Sequence, residues 1–162
     1  MSILHAAPSQ AALWGDHRLP PLDLPSLQQA PPKDSGRLAG QVVLVVLWAP
    51  WCTVCHEGWP ELVRLHAKYA PSGLRIVGLT VDAPSSPDAR ETLARELALP
   101  FPLLVAGSDI RRAFRGVRGY PTLFLADREG RIRRQWSGPP APGPLETALV
   151  DLLAHSSQAE PS

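Results

Sequence analysis

The two cysteines of this chain, Cys52 and Cys55, lie three positions apart, and the sequence contains no other. The near-continuous apolar run 42–48 precedes them and predicts a buried strand, and residues with helical spacing follow them. At such a junction the helix N–H groups and the helix dipole favour negative charge on the first sulfur. The second sulfur is near enough to close a small disulfide ring. The pair is therefore typical of dithiol–disulfide exchange, and any intramolecular disulfide must join these two residues.

We expect Cys52 to be the nucleophile and Cys55 to resolve the reaction. Cys52 would attack a disulfide of another molecule to give a mixed disulfide, and Cys55 would then attack Cys52 and release that molecule. A structural disulfide and half of a metal site are the alternatives. A zinc site needs four thiolates, or two thiolates and two suitably spaced histidines, and His56 and His66 lack that spacing. We therefore predict no metal site and no bound cofactor.

Strand and helix patterns alternate around this pair. Apolar runs predict strands at 42–48, 74–81, 101–105 and 121–126, and a hairpin turn at 127–130 predicts an antiparallel strand at 131–137. Helical spacing predicts helices at 53–69 with a kink at Pro60, from Ser85–Asp88 to about residue 98, at 109–114 and at 144–154. Parallel strands joined by helices indicate an α/β fold, a three-layer α/β/α sandwich with a hairpin at one edge.

Composition divides the chain into three parts. Residues 1–35 form a Pro-rich, partly ordered N-terminal extension, residues 36–155 a single domain and residues 156–162 a flexible tail. Prolines exclude a helix over most of the extension. Four leucines are candidates to hold it against the domain as extended chain: Leu19, Leu22, Leu24 and Leu27.

The overall charge and hydropathy exclude some classes of partner. The net charge of +1 gives no reason to expect nucleic acid or an anionic membrane surface as the main partner. No apolar run approaches the roughly 20 residues of a transmembrane helix. Residues 1–30 lack the apolar core of a secretory signal, as in a cytoplasmic protein or in a chain whose leader has been removed.

Four separated segments resemble the thioredoxin superfamily, and within it the TlpA/ResA/DsbE-like thiol-disulfide oxidoreductases. Residues 48–55 are similar to the family's W-A-x-W-C-x-x-C segment, and Pro60 follows where members carry a helix-kinking proline. Residues 116–122 are similar to its G-V-x-G-x-P-T loop, and residues 38–43 to its L-x-G-K-x-V lead-in. The strand and helix expected at about 84–105 match an insertion typical of the TlpA-like branch.

The resemblance implies a thioredoxin-like domain with a mixed central sheet. It also implies exchange with protein thiols and disulfides and with a membrane-bound redox partner, by a monomer in the periplasm or cell envelope of a bacterium. At the site it implies a cis bond before Pro121, with Tyr120 flanking the sulfurs. It further implies that Thr53 and Val54 tune the redox potential and that Trp51 packs beside Cys52.

The chain departs from the family pattern where an acid is expected. Thioredoxins carry a buried Asp six residues before the first cysteine, and Val46 stands there. ResA-like members carry a Glu three residues after the second cysteine, and Gly58 stands there. Glu57 is the candidate for proton transfer, although a shift of one residue turns it by about 100° around a helix.

Two other activities fit the fold less well. Peroxiredoxins resemble one another in a P-x-x-x-[TS]-x-x-C segment, and Ala49 occupies the Thr or Ser position here. Copper-delivery relatives use a C-x-x-x-C spacing and a distant histidine, whereas the spacing here is one residue shorter.

The remaining candidates have a structural and a functional interpretation. We expect Trp48, Trp14 and Trp136 in structural roles, and the sequence leaves Trp59 undecided between core and contact surface. Asp82 is expected to cap a strand end, and His56 to be a solvated helix residue. Four arginines form either a solvated face or a surface that attracts an acidic partner: Arg111, Arg112, Arg115 and Arg118.

Overall fold

The computed structural model describes residues 15–32 and 37–155. These ranges contain five strands: β1 (Val42–Trp48), β2 (Leu74–Thr80), β3 (Leu103–Val105), β4 (Thr122–Ala126) and β5 (Ile132–Ser137). The same ranges contain five α-helices: α1 (Thr53–Glu57), α2 (Trp59–Tyr69), α3 (Pro87–Leu97), α4 (Ile110–Ala113) and α5 (Pro142–His155). Element types and order agree with the sequence prediction except that α1 and α2 were predicted as one helix, and bounds differ by a few residues.

The strands form one mixed sheet in the order β3-β2-β1-β4-β5. β1 pairs parallel with β2, and β2 pairs parallel with β3. β4 runs antiparallel to β1, and β5 runs antiparallel to β4. All seven residues of β1 are buried, which is the pattern of a central strand covered on both faces.

Helices cover both faces of this sheet. Trp48 packs edge-on against Trp59 of α2 with ring centroids 5.1 Å apart, which places α2 on the face of Trp48. Val45 lies on the opposite face because successive strand residues alternate, and its paired residue Phe124 stacks on Phe114 at the end of α4. The three layers expected from the sequence are therefore present.

The single helix predicted over 53–69 is wrong in one respect, since it is divided at Gly58. Gly58 ends α1, donating its N–H to the carbonyl of Cys55, and precedes α2. Pro60 lies in the first turn of α2, where a missing N–H leaves no intrahelical bond unmade. The proline therefore starts a helix instead of kinking one.

The described part of the N-terminal extension connects both edges of the sheet. Arg18 forms an antiparallel bridge with Arg131 at the start of β5, and Ser26 forms one with Leu104 of β3. Leu27 is buried, and the other three leucines are partly buried against the core. We call residues 17–27 the N-terminal strap. The three-part division of the chain stays a prediction, and Trp14 and residues 156–162 lie outside the described residues.

Within the described ranges, no helix has the length and apolar character needed to cross a membrane.

Candidate active site

The dithiol lies at the carboxyl end of β1, where the chain turns into α1. Cys52 is the N-cap of α1, with extended backbone angles, and its Sγ accepts a hydrogen bond from the N–H of Cys55 at 3.2 Å. Donation from an N–H stabilises a charged sulfur, so the local fold favours a thiolate at Cys52 when the pair is reduced. In this structure Cys52 and Cys55 form a disulfide, with their Cα atoms 5.3 Å apart.

The loop before β4 faces the sulfurs. The peptide bond between Tyr120 and Pro121 is cis, and the carbonyl oxygen of Tyr120 lies 3.6 Å from Sγ of Cys52. Within the described residues, neither the N–H nor the carbonyl of Tyr120 pairs with another backbone group. Tyr120 therefore presents a backbone N–H and a carbonyl without backbone partners directly beside the dithiol.

Trp51 and Val54 expose apolar surface on either side of Cys52. The Trp51 side chain is 65% exposed and that of Val54 is 43% exposed, and Val150 is the only other large hydrophobic residue with such exposure in the part of the chain described. Thr53 is exposed as well. Two of the three exposed large hydrophobic residues in the described ranges thus lie next to the dithiol, which favours contact with a partner at this surface.

Asp82 is a site residue that sequence reasoning missed. Its carboxylate accepts a hydrogen bond from Nε1 of Trp51 at 3.0 Å, and the Trp51 indole meets the Tyr120 ring edge-on at 6.1 Å. Asp82 follows β2 with a positive φ of 54°. The available signal was positional, because β1 and β2 are parallel neighbours and their carboxyl ends meet at one edge of the sheet.

Behind the dithiol lies an aromatic core. Trp59, undecided from sequence, is buried beside Trp48. The expectation that His56 is solvated is wrong, because its ring is half-buried against Trp48. Its Nε2 lies 2.8 Å from the carbonyl of Pro50, which can only accept, so this nitrogen donates and ties α1 to the preceding loop.

Neither of the two positions at which the family resemblance predicts an acid carries one, and both are buried. Val46 is buried on the same face as Trp48, beneath α1. A side chain at Gly58 would make a tight contact, because a Cβ there would lie 3.0 Å from Cδ of Pro140. Of the residues described, the one buried carboxylate is Asp127, which pairs with Arg133 at the other end of β1.

Glu57 is exposed at the end of α1. Two residues of helix separate it from Cys55, a rotation of about 200°. Its carboxylate and the buried Cys55 sulfur therefore lie on opposite sides of α1.

A groove of about 720 Å³ opens beside the dithiol, with Trp51 and Tyr120 among its lining residues. Asp82 also lines it, as do residues of α3, α4 and the segments around them. No group of three or more His, Cys, Asp or Glu side chains placed to hold a metal ion occurs in residues 15–32 and 37–155.

Known proteins with a similar sequence or fold carry thiol-disulfide names. ResA from Bacillus thuringiensis subsp. konkukian is 30% identical over 114 residues, which are 70% of this chain and 64% of that protein. HelX from Rhodobacter capsulatus, a thiol:disulfide interchange protein, is 30% identical over 127 residues, 78% of this chain and 69% of that protein. The crystal structure of a putative thiol:disulfide interchange protein DsbE from Chlorobium tepidum superimposes with a TM-score of 0.70 at 26% identity, covering 85% of this chain and 96% of that one.

The match to the ResA relative spans just under two thirds of its length. The model of the AhpC/TSA family matches residues 16–135, which include the dithiol, the Tyr120–Pro121 loop and every strand through most of β5. The protein therefore belongs to the AhpC/TSA family, and with it to the thioredoxin superfamily that the sequence resemblance indicated.

Proposed function

We propose that this protein is a protein thiol-disulfide oxidoreductase that works through Cys52 and Cys55. The observation that carries the proposal is the disulfide between these residues at the start of α1, with Cys52 facing the Tyr120 carbonyl. The names of the relatives support the same activity.

In the proposed reaction, the reduced protein gives two electrons to a partner disulfide. The Cys52 thiolate attacks one partner sulfur, the partner S–S bond breaks, and the other partner sulfur leaves as a thiolate that takes up a proton. The Cys55 thiol loses its proton and attacks Sγ of Cys52, which re-forms the Cys52–Cys55 bond and releases the second partner thiolate. The reverse sequence oxidises a partner dithiol.

The surface around Cys52 supports an extended partner segment. The unpaired backbone groups of Tyr120 can bond such a segment as a strand edge does. The exposed faces of Trp51 and Val54 offer apolar contact on both sides. We assign Trp51, Thr53, Val54, Tyr120 and Pro121 to partner binding on this basis.

Among the described residues, no buried acid lies beside the dithiol to transfer its protons. We therefore propose that protons exchange through solvent, with Glu57 as the candidate carrier. The support is that Glu57 is exposed at the end of α1, where its carboxylate can exchange protons with water.

We further propose that the protein acts as a monomer in the periplasm or cell envelope and exchanges electrons with a membrane-bound redox protein. The support is its similarity to proteins named ResA, HelX and DsbE. Fractionation of the native host, with detection of the mixed disulfide that a Cys55→Ser variant forms there, tests this placement.

Reduction of a disulfide-linked test protein by dithiothreitol, with and without this protein, tests the activity. The wild type should accelerate reduction, and Cys52→Ser should abolish the acceleration because the attacking sulfur is gone. Cys55→Ser should accumulate a mixed disulfide through Cys52, visible by mass spectrometry. Val150→Ser, at an exposed position on α5, is the matched control. Acceleration by Cys52→Ser equal to that of the wild type would contradict the assignment.

A further inference from the structure

Three guanidinium groups from three parts of the fold surround the groove beside the dithiol. Arg90 belongs to α3, Arg111 to α4 and Arg118 to the loop that leads into Tyr120, and all three line the groove. Arg112 and Arg115, which are equally near in sequence, do not line it. Two of the four arginines that are clustered in sequence therefore line the groove, together with Arg90 from another helix.

These arginines have no carboxylate partner in the part of the chain that the structure describes. Arg90 is half-buried, and its Nε donates to the carbonyl of Pro84 at 2.6 Å, which fixes the guanidinium at the groove wall. Arg111 lies over the Tyr120 ring, 5.5 Å from its centroid. The charges of Arg90 and Arg111 are therefore held in place without being neutralised.

The groove contains one negative group of its own. Asp82 is the only acidic residue among the described residues that line it, and its Oδ2 already accepts the indole N–H of Trp51. Three guanidiniums against one carboxylate leave the groove positively charged. Apolar side chains such as Val81 and Ile110 line it as well, so a ligand with both carboxylates and apolar groups is complementary to it.

Tyr120 connects the groove to the reacting sulfur. Its carbonyl lies 3.6 Å from Sγ of Cys52, and its ring lies beneath Arg111. An extended chain advances about 3.3 Å per residue, so a segment bonded beside Tyr120 would bring a side chain to the arginines within a few residues of its own cysteine.

We propose that this groove binds an acidic segment of the partner protein, with Asp or Glu side chains about two to four residues from the cysteine that reacts with Cys52. The proposal rests on the function proposed above and names the partner chemistry that the site selects. Charge pairing at the rim of such a contact raises the association rate and excludes basic partners, because like charges repel.

Three short peptides that differ only in charge test the proposal. Each carries one cysteine as a neutral 2-pyridyl disulfide. Two further positions, about three residues from that cysteine, hold two Glu in the first peptide, two Gln in the second and two Lys in the third. The second-order rate constant for attack by the reduced protein is measured by stopped flow. For the wild type at low ionic strength we expect the Glu peptide to react about fivefold faster than the Gln peptide, and the Lys peptide to be the slowest.

Two matched double variants distinguish the effect of the arginines in the groove from the effect of surface charge in general. Arg111→Gln/Arg118→Gln should bring the Glu-to-Gln rate ratio close to one. Arg112→Gln/Arg115→Gln removes the same charge from positions outside the groove and should keep the ratio. High ionic strength should lower the ratio in the wild type because it screens exposed charges. A wild-type ratio of one, or an equal loss in both double variants, would overturn the proposal.

The experiments distinguish an error in the acidic-partner proposal from an error in the proposed thiol-disulfide exchange. If the Gln and Glu peptides react at equal rates, exchange stands and the acidic partner is excluded. If no peptide reacts, the proposed function is wrong. Calorimetric binding of cysteine-free Glu and Gln peptides to the disulfide form then tests separately whether the groove binds acidic segments. Tighter binding of the Glu peptide, lost in Arg111→Gln/Arg118→Gln, supports the groove, and equal binding overturns it.

Discussion

Gly58, which stands where the family resemblance predicts an acid, shows at the scale of one residue how a contact from a distant loop limits the side chain that fits. Its backbone has ordinary helical angles, with φ at −83°, so conformation alone would allow any residue. The space is tight, because a Cβ would lie 3.0 Å from Cδ of Pro140 and 3.4 Å from the carbonyl oxygen of Cys55. Pro140, from the loop after β5, would have to shift to admit a side chain.

We predict that Gly58→Ala lowers the free energy of unfolding. The overlap with Pro140 should cost about 1–3 kcal/mol, more than the roughly 0.4–1 kcal/mol gained from a less flexible unfolded chain. Pro140→Ala removes the Cδ atom, so the same substitution should cost less in that background. Urea unfolding of the four proteins of this double-mutant cycle measures the coupling.

Gly143→Ala is the control, because nothing lies within 4 Å of the position of its Cβ. It should not reduce stability. If Gly58→Ala cost the same with Pro140 and with Ala at position 140, the steric explanation would be wrong.

At the scale of elements, Glu146 joins α5 to α2. Its carboxylate accepts hydrogen bonds from Arg64 at 2.6 Å, from Lys68 at 2.9 Å and from the Tyr69 hydroxyl at 2.5 Å. These bonds, with that from Arg64 the largest, lower the pKa of Glu146 to about 2. The hydrogen bond from Arg64 also lowers the pKa of Glu61, so the two carboxylates share one cation.

We predict that this cluster makes the stability of the protein depend on pH in the acid range. The pKa of Glu146 is lower in the folded state than its ordinary value of 4.5, so the unfolded chain binds the proton more readily. The stabilisation is complete above that value and is lost as the pH falls from about 4.5 towards 2. Thermal unfolding of wild type and Glu146→Gln across this range measures it.

The variant should lose less stability on acidification than the wild type does, although Glu61 retains part of the effect. Glu96→Gln, at an exposed position on α3, should behave as the wild type. Identical acid profiles for Glu146→Gln and the wild type would show that the cluster does not contribute.

At the scale of the whole molecule, the N-terminal strap protects the edges of the sheet. The N–H of Leu27 donates to the carbonyl of Leu103, and the N–H of Val105 donates to the carbonyl of Pro25. The edge strand β3 is therefore covered, which removes a free strand edge from solvent. At the other edge, the N–H of Ile132 donates to the carbonyl of His17.

We predict that Leu27→Ala lowers the free energy of unfolding by about 2–5 kcal/mol, because it empties a buried leucine site under the strap. Gln29→Ala, whose side chain is exposed just beyond the strap, should change it little. Urea unfolding measures both. Equal stability of Leu27→Ala and the wild type would mean that the strap is not part of the folded core.

What the sequence determined by itself is the chemistry and its local frame. Residue type and short-range spacing are enough to predict the dithiol at Cys52 and Cys55, the apolar strand before it and the segment leading into Pro121. These features can be recognised without knowledge of the fold. The kink predicted at Pro60 was wrong, because a proline indicates an interruption of a helix but not whether the helix ends before it or begins there. The prediction for His56 was also wrong, because its burial depends on contact with Trp48.

Only the tertiary structure decided which distant residues meet at the site. Asp82 reaches Trp51 because β1 and β2 end at the same edge of the sheet. Pro140 reaches Gly58 from the loop after β5, and the packing of α3 and α4 brings Arg90 to the same groove as Arg111 and Arg118. Such contacts depend on sheet order and loop path, for which no local pattern of residues is a guide.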